Sequence, residues 1–436
     1  MKTMLRFELK KVLSKPMNRA ALLLLAAVLI IGSILTIRDV TYVEENGNHI
    51  SGPAAARHLK EDKNKWKGEL TEEVFKEVIR ENAGINAIGQ DDRTLDSEKS
   101  DSEKGGSEKS GSEKNDSDRI QESNRIDART QGFSDIRQLL NLAFCEMYNY
   151  DYYRADSLSQ EDAASFYERR ISGLKDWFES EEVKGSFSEQ EKQYLIGKYE
   201  EMKTPLYYEY ADGWKALLDS QYLPTLMMIV VLIIGFLVSG IFSDEFSLKA
   251  DSIFFSARHG RDRAVVSKMG AGFVLITILY WGVVLLYSLI VLGALGFGGG
   301  ECAVQTGLSN WNSIYNISYF QDFLLTVLGG YVGCLFIMTI SMLVSAKTHS
   351  TIFAITVPFI LTCLPPFLGR IEMLTRIMTL FPDQMLTINK NLEDFALYSI
   401  GGKIFGAVSV MIPMYVILFA ILFPVIYWVY RRAQVK

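Results

Sequence analysis

The sequence predicts an all-α integral membrane protein with six transmembrane helices and a mostly helical extracellular domain between the first two. Two observations predict this fold class. Charged residues are concentrated in one long stretch, 38–220. Apolar residues are concentrated in runs that reach the roughly 20 residues a helix needs to cross a bilayer. These runs are 20–37, 221–242, 265–296, 322–345, 351–369 and 404–429.

The basic residues predict the orientation of the spans. Lys and Arg are enriched in short cytoplasmic flanks of membrane helices. They are frequent in 1–19, in 243–264 and at 430–436, and they are absent from 297–321. We therefore expect a multi-pass protein of the cell (plasma) membrane with both termini in the cytoplasm. The domain 38–220, the loop 297–321 and the segment 370–403 then lie outside.

The first run is predicted to be a retained span, because no small-x-small cleavage site follows its long apolar region. Before it, residues 1–19 predict a cytoplasmic amphipathic helix that lies in the membrane interface. A plain cytoplasmic tail is the alternative. Its apolar face carries Leu5, Leu9, Val12 and Leu13. Its basic face carries Lys10 and Lys11.

The extracellular domain shows helical spacing of apolar residues. Positions 164, 167, 171, 174 and 178 share one face of a helix over 160–178, and looser patterns follow at 71–82, 134–149 and 188–202. Tyrosines are dense in 148–153 and in 207–210. These rings either line a site for an amphipathic ligand or pack in an ordinary way between helices.

Two further features of this domain carry predictions. The triplet Ser-Glu-Lys begins at 97, 102, 107 and 112 with no apolar residue to bury, so 93–119 predicts a flexible insertion. A phosphorylation site or binding tract is the alternative. Cys145 and Cys302 both fall outside the membrane, which leaves a disulfide between them open.

The region 370–403 predicts an interfacial helix on the outer side. Ile371, Leu374 and Phe381 have helical spacing, and Pro382 ends the pattern.

No stretch of the sequence predicts catalysis, metal binding or a nucleotide-binding motif. The four histidines have no metal-ligand spacing, and no phosphate-cradling glycine loop is present. None of the six runs has an acidic residue in its middle; Lys268, Asp322 and Lys403 lie at span ends, where long side chains reach the headgroups. Since ion-coupled transport needs ionisable groups at depth, energy for uphill transport would enter from a partner.

The cytoplasmic segment 243–264 is the candidate for contact with such a partner. It places acidic residues first and basic residues last, as suits a helix dipole, and its aromatic rings are typical of an interface centre. The alternative is a loop whose rings lie among the headgroups. The candidate docking residues are Asp244, Glu245, Phe246, Phe254, Phe255, Arg258, Arg261 and Arg263.

Two stretches resemble the membrane subunit of ABC-2 type transporters, in particular exporters with a large extracellular domain after the first span. They are FELKKVLSKP at 7–16 and DEFSLKADSIFFSARHGRDRAVVSKM at 244–269. The six-span layout adds to the resemblance. Lys249-Ala250 stands where the family usually has a glycine, and the usual proline before the arginine is missing.

The resemblance implies a coupling helix at about 244–256 that docks on a separate cytoplasmic ABC ATPase, with ATP and Mg bound by that partner. It also implies a second permease copy, identical or related, and no cofactor or nucleic acid bound by this chain. The expected function is the export of an amphipathic substrate, such as an antimicrobial peptide, a lipid-like compound or a drug. The alternatives are a membrane receptor or scaffold with an extracellular sensing domain, and a permease-like protein that transmits ATP-driven motion without transport.

Overall fold

The structure, a computed structural model, describes residues 2–101, 124–257, 260–371 and 374–432, with side chains for all of these except 88–101 and Thr375. About 72% of it is helical, which confirms the prediction of a mostly helical fold. The insertion predicted at 93–119 lies outside the described residues from 102 onward. Its first triplet falls in a helix that ends at Asp101.

The described residues form seventeen α-helices, numbered here in chain order. They are α1 (Lys2–Ser14), α2 (Pro16–Asp39), α3 (Pro53–Lys63), α4 (Glu72–Asp101), α5 (Ser134–Phe144), α6 (Phe166–Glu179), α7 (Glu189–Glu200), α8 (Asp212–Leu217), α9 (Tyr222–Ser247), α10 (Asp251–Ser256), α11 (Arg263–Leu295), α12 (Tyr319–Thr348), α13 (Thr351–Cys363), α14 (Pro365–Leu368), α15 (Thr375–Met378), α16 (Ile388–Asn391) and α17 (Ala407–Arg431).

The described strands form three antiparallel pairs, of which the first and the third join strands adjacent in sequence. These pairs are β1 (Thr41–Val43) with β2 (His49–Ser51), β3 (Gly68–Glu69) with β4 (Tyr207–Tyr208), and β5 (Leu397–Ile400) with β6 (Lys403–Gly406).

Among the described residues, five helices are long and apolar enough to cross a membrane, namely α2, α9, α11, α12 and α17. The sixth predicted span is not a continuous helix of that length. The run 351–369 divides at Leu364 into α13, of 13 residues, and the short α14. At 1.5 Å per residue, α13 reaches about 20 Å, less than the ~30 Å of a bilayer core. The chain is thus a membrane protein by its helices, and the six-span layout stays a prediction.

The chain divides into two compact units. We call one the apolar unit, which comprises Met1–Leu35, Leu217–Ile290 and Gln321–Lys436; the other, the polar unit, comprises Thr36–Ala216 and Val291–Phe320. The predicted loop 297–321 therefore belongs to the same compact unit as most of 38–220. The sequence does not indicate this association, because the two pieces are separated by two spans.

Within the apolar unit, α9 packs closely along α13. A methyl group at Gly235 would lie 2.5 Å from Pro358 Cγ, so the absence of a side chain permits the approach. Gly330 of α12 likewise lies against Tyr280 and Met227. Small residues at such crossings let membrane helices pack by van der Waals contact.

The polar unit has its own hydrophobic core. Phe75 and Phe166 stack with ring centroids 3.9 Å apart, and Trp311, from the second piece of chain, packs beside Phe166. The predicted helix 160–178 begins as a 3₁₀ turn, Gln160–Ser165, which a capping box of Ser159 and Asp162 starts, and it continues as α6. Helices also form in the other three predicted segments, as α4, α5 and α7.

Arg170 of α6 fixes the second piece of the polar unit. Its Nε and Nη2 donate to the carbonyl oxygens of Trp311 (3.1 Å) and Ser313 (2.8 Å), and its guanidinium lies 3.7 Å from the ring centroid of Tyr199. Tyr199 itself donates to the carbonyl oxygen of Asn312 at 2.8 Å. Burial lowers the pKa of Arg170 to about 10, so it stays charged at neutral pH.

The segment 370–403 differs from the predicted interfacial helix. Its described residues hold only short helical pieces, α15, a 3₁₀ turn at Pro382–Leu386, and α16, followed by the hairpin β5–β6. Gly401 and Gly402, both with positive φ, form the hairpin turn. Tyr398 donates to the carbonyl oxygen of Arg376 at 2.9 Å, which fastens the hairpin to α15.

Candidate functional site

Residues 243–257 and 260–263 form a compact, mostly helical segment of the apolar unit, which we call the turn. Helix α9 continues through Ser247, three residues beyond Asp244, and Lys249 adopts a positive φ of 53°. The amide of Ala250 then donates to the carbonyl oxygen of Glu245 at 2.8 Å. Helix α10 follows, and α11 begins at Arg263.

A buried ion network fixes this turn to α1 and α11. Lys15 Nζ lies 2.6 Å from Asp244 Oδ2, and Lys11 Nζ lies 2.7 Å from Glu245 Oε1. Lys268 Nζ also lies 2.7 Å from Glu245 Oε1 and donates to the carbonyl oxygen of Ile241 at 2.8 Å. Buried ionic groups persist when each is paired and hydrogen-bonded, as these are.

Two further side chains complete the network. Glu8 of α1, 8% exposed, lies 3.4 Å from Lys268 Nζ, and Lys268 itself is 0% exposed. Tyr430 of α17 donates to Glu245 Oε2 at 3.4 Å. Four helices therefore meet at Glu245. Burial is the largest single influence on the pKa of Lys11 and lowers it, but the hydrogen bond and charge of Glu245, with the charges of Asp244 and Glu8, together hold this pKa above its ordinary value.

Aromatic rings pack beneath the turn. Phe246 stacks on His349 at 3.6 Å, while Phe255, 5% exposed, lies 5.4 Å from Tyr430. Phe254 contacts Tyr430 as well, at 6.2 Å. Such ring contacts in a desolvated site stabilise a defined arrangement. The turn is consequently a packed element rather than a solvated loop.

The predicted docking residues differ in exposure: the acidic and aromatic ones are buried or partly buried, whereas the described basic ones are exposed. Asp244 and Glu245 are 7% and 8% exposed and their charges point into the network, so they do not present free carboxylates to a partner. Phe255 is buried, and Phe246 and Phe254 are partly buried.

The predicted basic residues at the end of the segment lie differently. Arg261 and Arg263 are exposed. Arg261 lies 4.9 Å above the ring of Phe255 and donates to the carbonyl oxygen of Arg431. Arg258 lies outside the described residues. The docking role of these side chains stays a prediction.

The predicted interfacial helix forms as α1, but it packs on protein. Val12 is 3% exposed, Leu5 and Leu9 are partly buried, and Leu13, at 39%, and Lys10 are exposed. Lys11, assigned to the polar face, instead binds Glu245.

Sequence reasoning missed Glu8, Lys15, Lys268 and Tyr430 as parts of the site. The signal for Glu8 is its position on the apolar face of α1, three residues after Leu5 and four before Val12. The interpretation of Lys268 as a side chain reaching the headgroups was wrong, because it is fully buried. Leu248 and Ile253, 70% and 75% exposed, are the apolar side chains that the turn presents outward.

Asp322 also differs from its expected surroundings. It lies in the first turn of α12, is 1% exposed, and accepts a hydrogen bond from Thr326 at 3.0 Å. Protein, rather than headgroups, surrounds this carboxyl group.

In the part of the chain that the structure describes, no group of three or more His, Cys, Asp or Glu residues has an arrangement that could hold a metal ion. Cys145 and Cys302 are both free thiols, so the structure contains no disulfide between them. Burial raises the pKa of Cys302 to about 11, which keeps it a protonated thiol.

Comparison with known proteins identifies no family for this chain. No protein-family model matches it, and no curated protein matches it significantly. The resemblance to ABC-2 type permeases therefore stands on the quoted sequence stretches alone.

Proposed function

We propose that the chain is the permease subunit of an ATP-driven exporter and that it works with a separate cytoplasmic ABC ATPase. The observation that carries this proposal is the turn 243–263, which is packed and ion-paired on its inner side and exposes Leu248 and Ile253 on its outer side. A coupling element has to be rigid to transmit motion and apolar at its surface to bind a partner. A mere connector needs neither property.

In this proposal, the ion network connects the turn mechanically to the membrane-spanning helices. A push on the turn is transmitted to α9, which it continues, and to α1 and α11 through Glu245. The partner surface in this proposal is Leu248, Ile253 and the exposed Arg261 and Arg263. Asp244 and Glu245 hold the turn in place instead of touching the ATPase.

The proposed orientation and substrate class are those predicted from the sequence. The turn, α1 and both chain termini face the cytoplasm of a cell membrane, and the polar unit is extracellular. Helices α2 and α17 bury the smallest share of their apolar windows, 22% and 17%, and so have the most surface for lipid or a second permease copy. The substrate class is amphipathic, and a sensing receptor or scaffold is the second candidate.

The test is purification of the tagged full-length protein from native membranes in mild detergent, followed by mass spectrometry of the bound proteins. An ATP-binding subunit in comparable amount is expected. Its recovery should fall when Leu248→Asp and Ile253→Asp are combined. Ser14→Asp, which adds a charge at the exposed end of α1, should leave recovery unchanged.

Two other outcomes would revise the proposal. Recovery of the ATPase with the double variant would place the docking surface elsewhere on the chain. Absence of any ATPase from the unmodified protein would overturn the exporter proposal and favour the receptor.

A further inference from the structure

The two tyrosine-rich segments of the polar unit have opposite environments. In 207–210, Tyr208 and Tyr210 are buried at 1% and 0% exposure, and they pack in the ordinary way. In 148–153 every tyrosine is exposed. Tyr148, Tyr150, Tyr152 and Tyr153 are 59%, 41%, 48% and 68% exposed. We call these four rings, together with Trp177, the tyrosine patch.

Hydrogen bonds fix the backbone that carries the patch, and they hold its rings in exposed positions. The Asn141 side chain donates to the carbonyl oxygen of Tyr152 at 2.9 Å and to the hydroxyl of Tyr150 at 3.2 Å. It also accepts from the amide of Ala155 at 2.6 Å. Within the same loop, the amide of Asp151 donates to Cys145 Sγ at 3.2 Å.

Tyr148 is held in a conformation that costs free energy. Its φ is +65°, a left-handed backbone that bulky side chains rarely adopt. Its ring nevertheless stays exposed and lies 5.4 Å from that of Trp177. Strain of this kind persists where the surrounding structure imposes it, and it is concentrated at binding sites.

Carboxylates outnumber cations around the patch: Arg137 lies over the ring of Tyr152, Arg154 follows the first ring-bearing segment, and Lys175 and Lys184 flank the second. The two segments that carry the rings, 145–153 and 176–182, contain six carboxylates and no Lys or Arg. Of the six, only Glu179 has an ion pair in the described structure, a 3.6 Å contact with Lys192. Glu146, Asp151, Glu181 and Glu182 are exposed.

We infer that the tyrosine patch binds a cationic amphipathic peptide. That this peptide is the transported substrate rests on the proposed function. Aromatic faces attract ammonium and guanidinium groups, and apolar residues of the peptide cover the rest of each ring. The patch already shows this contact within the chain, since Arg137 lies 4.6 Å over the ring of Tyr152. A second copy is disfavoured in a two-fold contact, because its own carboxylates would face these.

The test uses the full-length protein in nanodiscs of zwitterionic lipid and a fluorescent synthetic peptide of alternating Lys and Leu pairs. Binding is followed by fluorescence anisotropy, with empty nanodiscs as the blank. The patch variant combines Tyr148→Asn, which tolerates the left-handed backbone, with Tyr153→Ser. The matched control is Tyr207→Ser, which removes an exposed ring outside the patch.

The patch variant should weaken binding roughly tenfold, as expected for two lost cation–π contacts of up to about 1 kcal/mol each. A charge variant with Glu146→Gln, Glu181→Gln and Glu182→Gln should weaken binding and reduce its salt dependence. The control should bind as the unmodified protein does. Unaltered circular dichroism would show that the variants are folded.

Three outcomes would overturn the inference. One is undiminished binding by the patch variant. Another is equal binding of a Glu/Leu peptide, which would mean that charge has no part in recognition. The third is an unmodified protein that is oligomeric and loses this association in the patch variant, which would assign the surface to a second copy. Recovery of an ATPase in the earlier experiment is independent of all three, so failure here leaves the exporter proposal intact.

Discussion

At the scale of single residues, Lys268 is the most consequential side chain of the turn. It is 0% exposed and compensates Glu245 and Glu8, which come from different helices. Removing Lys268 leaves Glu8 without its ion pair and Glu245 with the Lys11 and Tyr430 contacts only. A buried charge that loses its partner costs far more than the net worth of the pair.

We therefore expect Lys268→Met to lower the free energy of unfolding by about 3–5 kcal/mol. Thermal unfolding of the detergent-solubilised protein, followed by tryptophan fluorescence, measures the change. Lys10→Met, at an exposed position of α1, is the control and should have little effect. Adding Glu245→Gln to Lys268→Met should restore part of the loss, and a Lys268→Met protein as stable as the unmodified one would contradict the buried network.

Glu393 makes a second prediction, on pH dependence. Burial raises the pKa of Glu393 from 4.5 to about 7, with help from the nearby charges of Asp394, Asp322 and Asp219, and against Lys390. Since the folded protein favours the protonated form, its stabilising contribution is complete below pH 4.5. It is lost as the pH rises through about 7.

Melting temperatures measured from pH 4.5 to 8 should fall with increasing pH over this window. Glu393→Gln should flatten the dependence. Burial also raises the pKa of Asp383, to about 6, so a smaller slope should remain in the variant. An unchanged slope after Glu393→Gln would show that this carboxyl group is not responsible.

At the scale of elements, the crossing of α9 and α13 depends on a residue without a side chain. Gly235→Leu would place atoms where Pro358 Cγ now lies, and overpacking of this kind costs about 1–3 kcal/mol. Gly282→Leu of α11 is the matched control, since no atom of the protein lies within 4 Å of an added Cβ there. The melting temperature in detergent should fall for Gly235→Leu and change little for Gly282→Leu. Equal melting temperatures would contradict close packing at Gly235.

The sequence predicts the elements better than it predicts their surroundings. Long apolar runs and helical spacing gave α2, α9, α11, α12 and α17, because length and hydrophobicity are local properties. The break at Leu364 was missed, although Pro365 and Pro366 follow it, because proline is tolerated inside membrane helices as well. The hairpin β5–β6 was missed because 370–403 was interpreted through its helical spacing alone.

The candidate site was predictable in position and not in detail. The charged, aromatic character of 243–264 identified the turn. The inward direction of Asp244 and Glu245 depends on Lys11, Lys15 and Lys268, which are distant in sequence, and no local pattern encodes such pairing. Composition could not predict that the rings of 148–153 are exposed while Tyr208 and Tyr210 are buried, since both segments are rich in tyrosine.

At the scale of the whole molecule, the polar unit is assembled from two pieces of chain that are far apart in sequence. Arg170 is one polar link between them, through the carbonyl oxygens of Trp311 and Ser313, beside the bond from Tyr199 to Asn312. A side chain that cannot form the two hydrogen bonds of Arg170 should loosen the second piece around Trp311.

Arg170→Met should therefore increase hydrogen exchange of the amides in 304–318 by more than about tenfold, since two charge-assisted hydrogen bonds are lost. Hydrogen-exchange mass spectrometry gives the rates, and amides of α3 should change much less. Lys175→Met, at an exposed position of the same helix, is the control. Equal exchange rates in the variant and the unmodified protein would mean that the hydrogen bonds of Arg170 do not hold the segment, which then depends on its other contacts, such as the bond from Tyr199 to Asn312.

The ion pair between Lys11 and Glu245 spans 234 residues of sequence. On the ribosome, α1 emerges long before α9, because the carboxylate partners on α9 are synthesised only after the entire first piece of the polar unit. Until then Lys11 and Lys15 have no Asp244 or Glu245 to bind, and Glu8 has no Lys268. The amino-terminal helix therefore reaches its final position late in biosynthesis, and chains that stop short of α9 should expose it to cellular proteases.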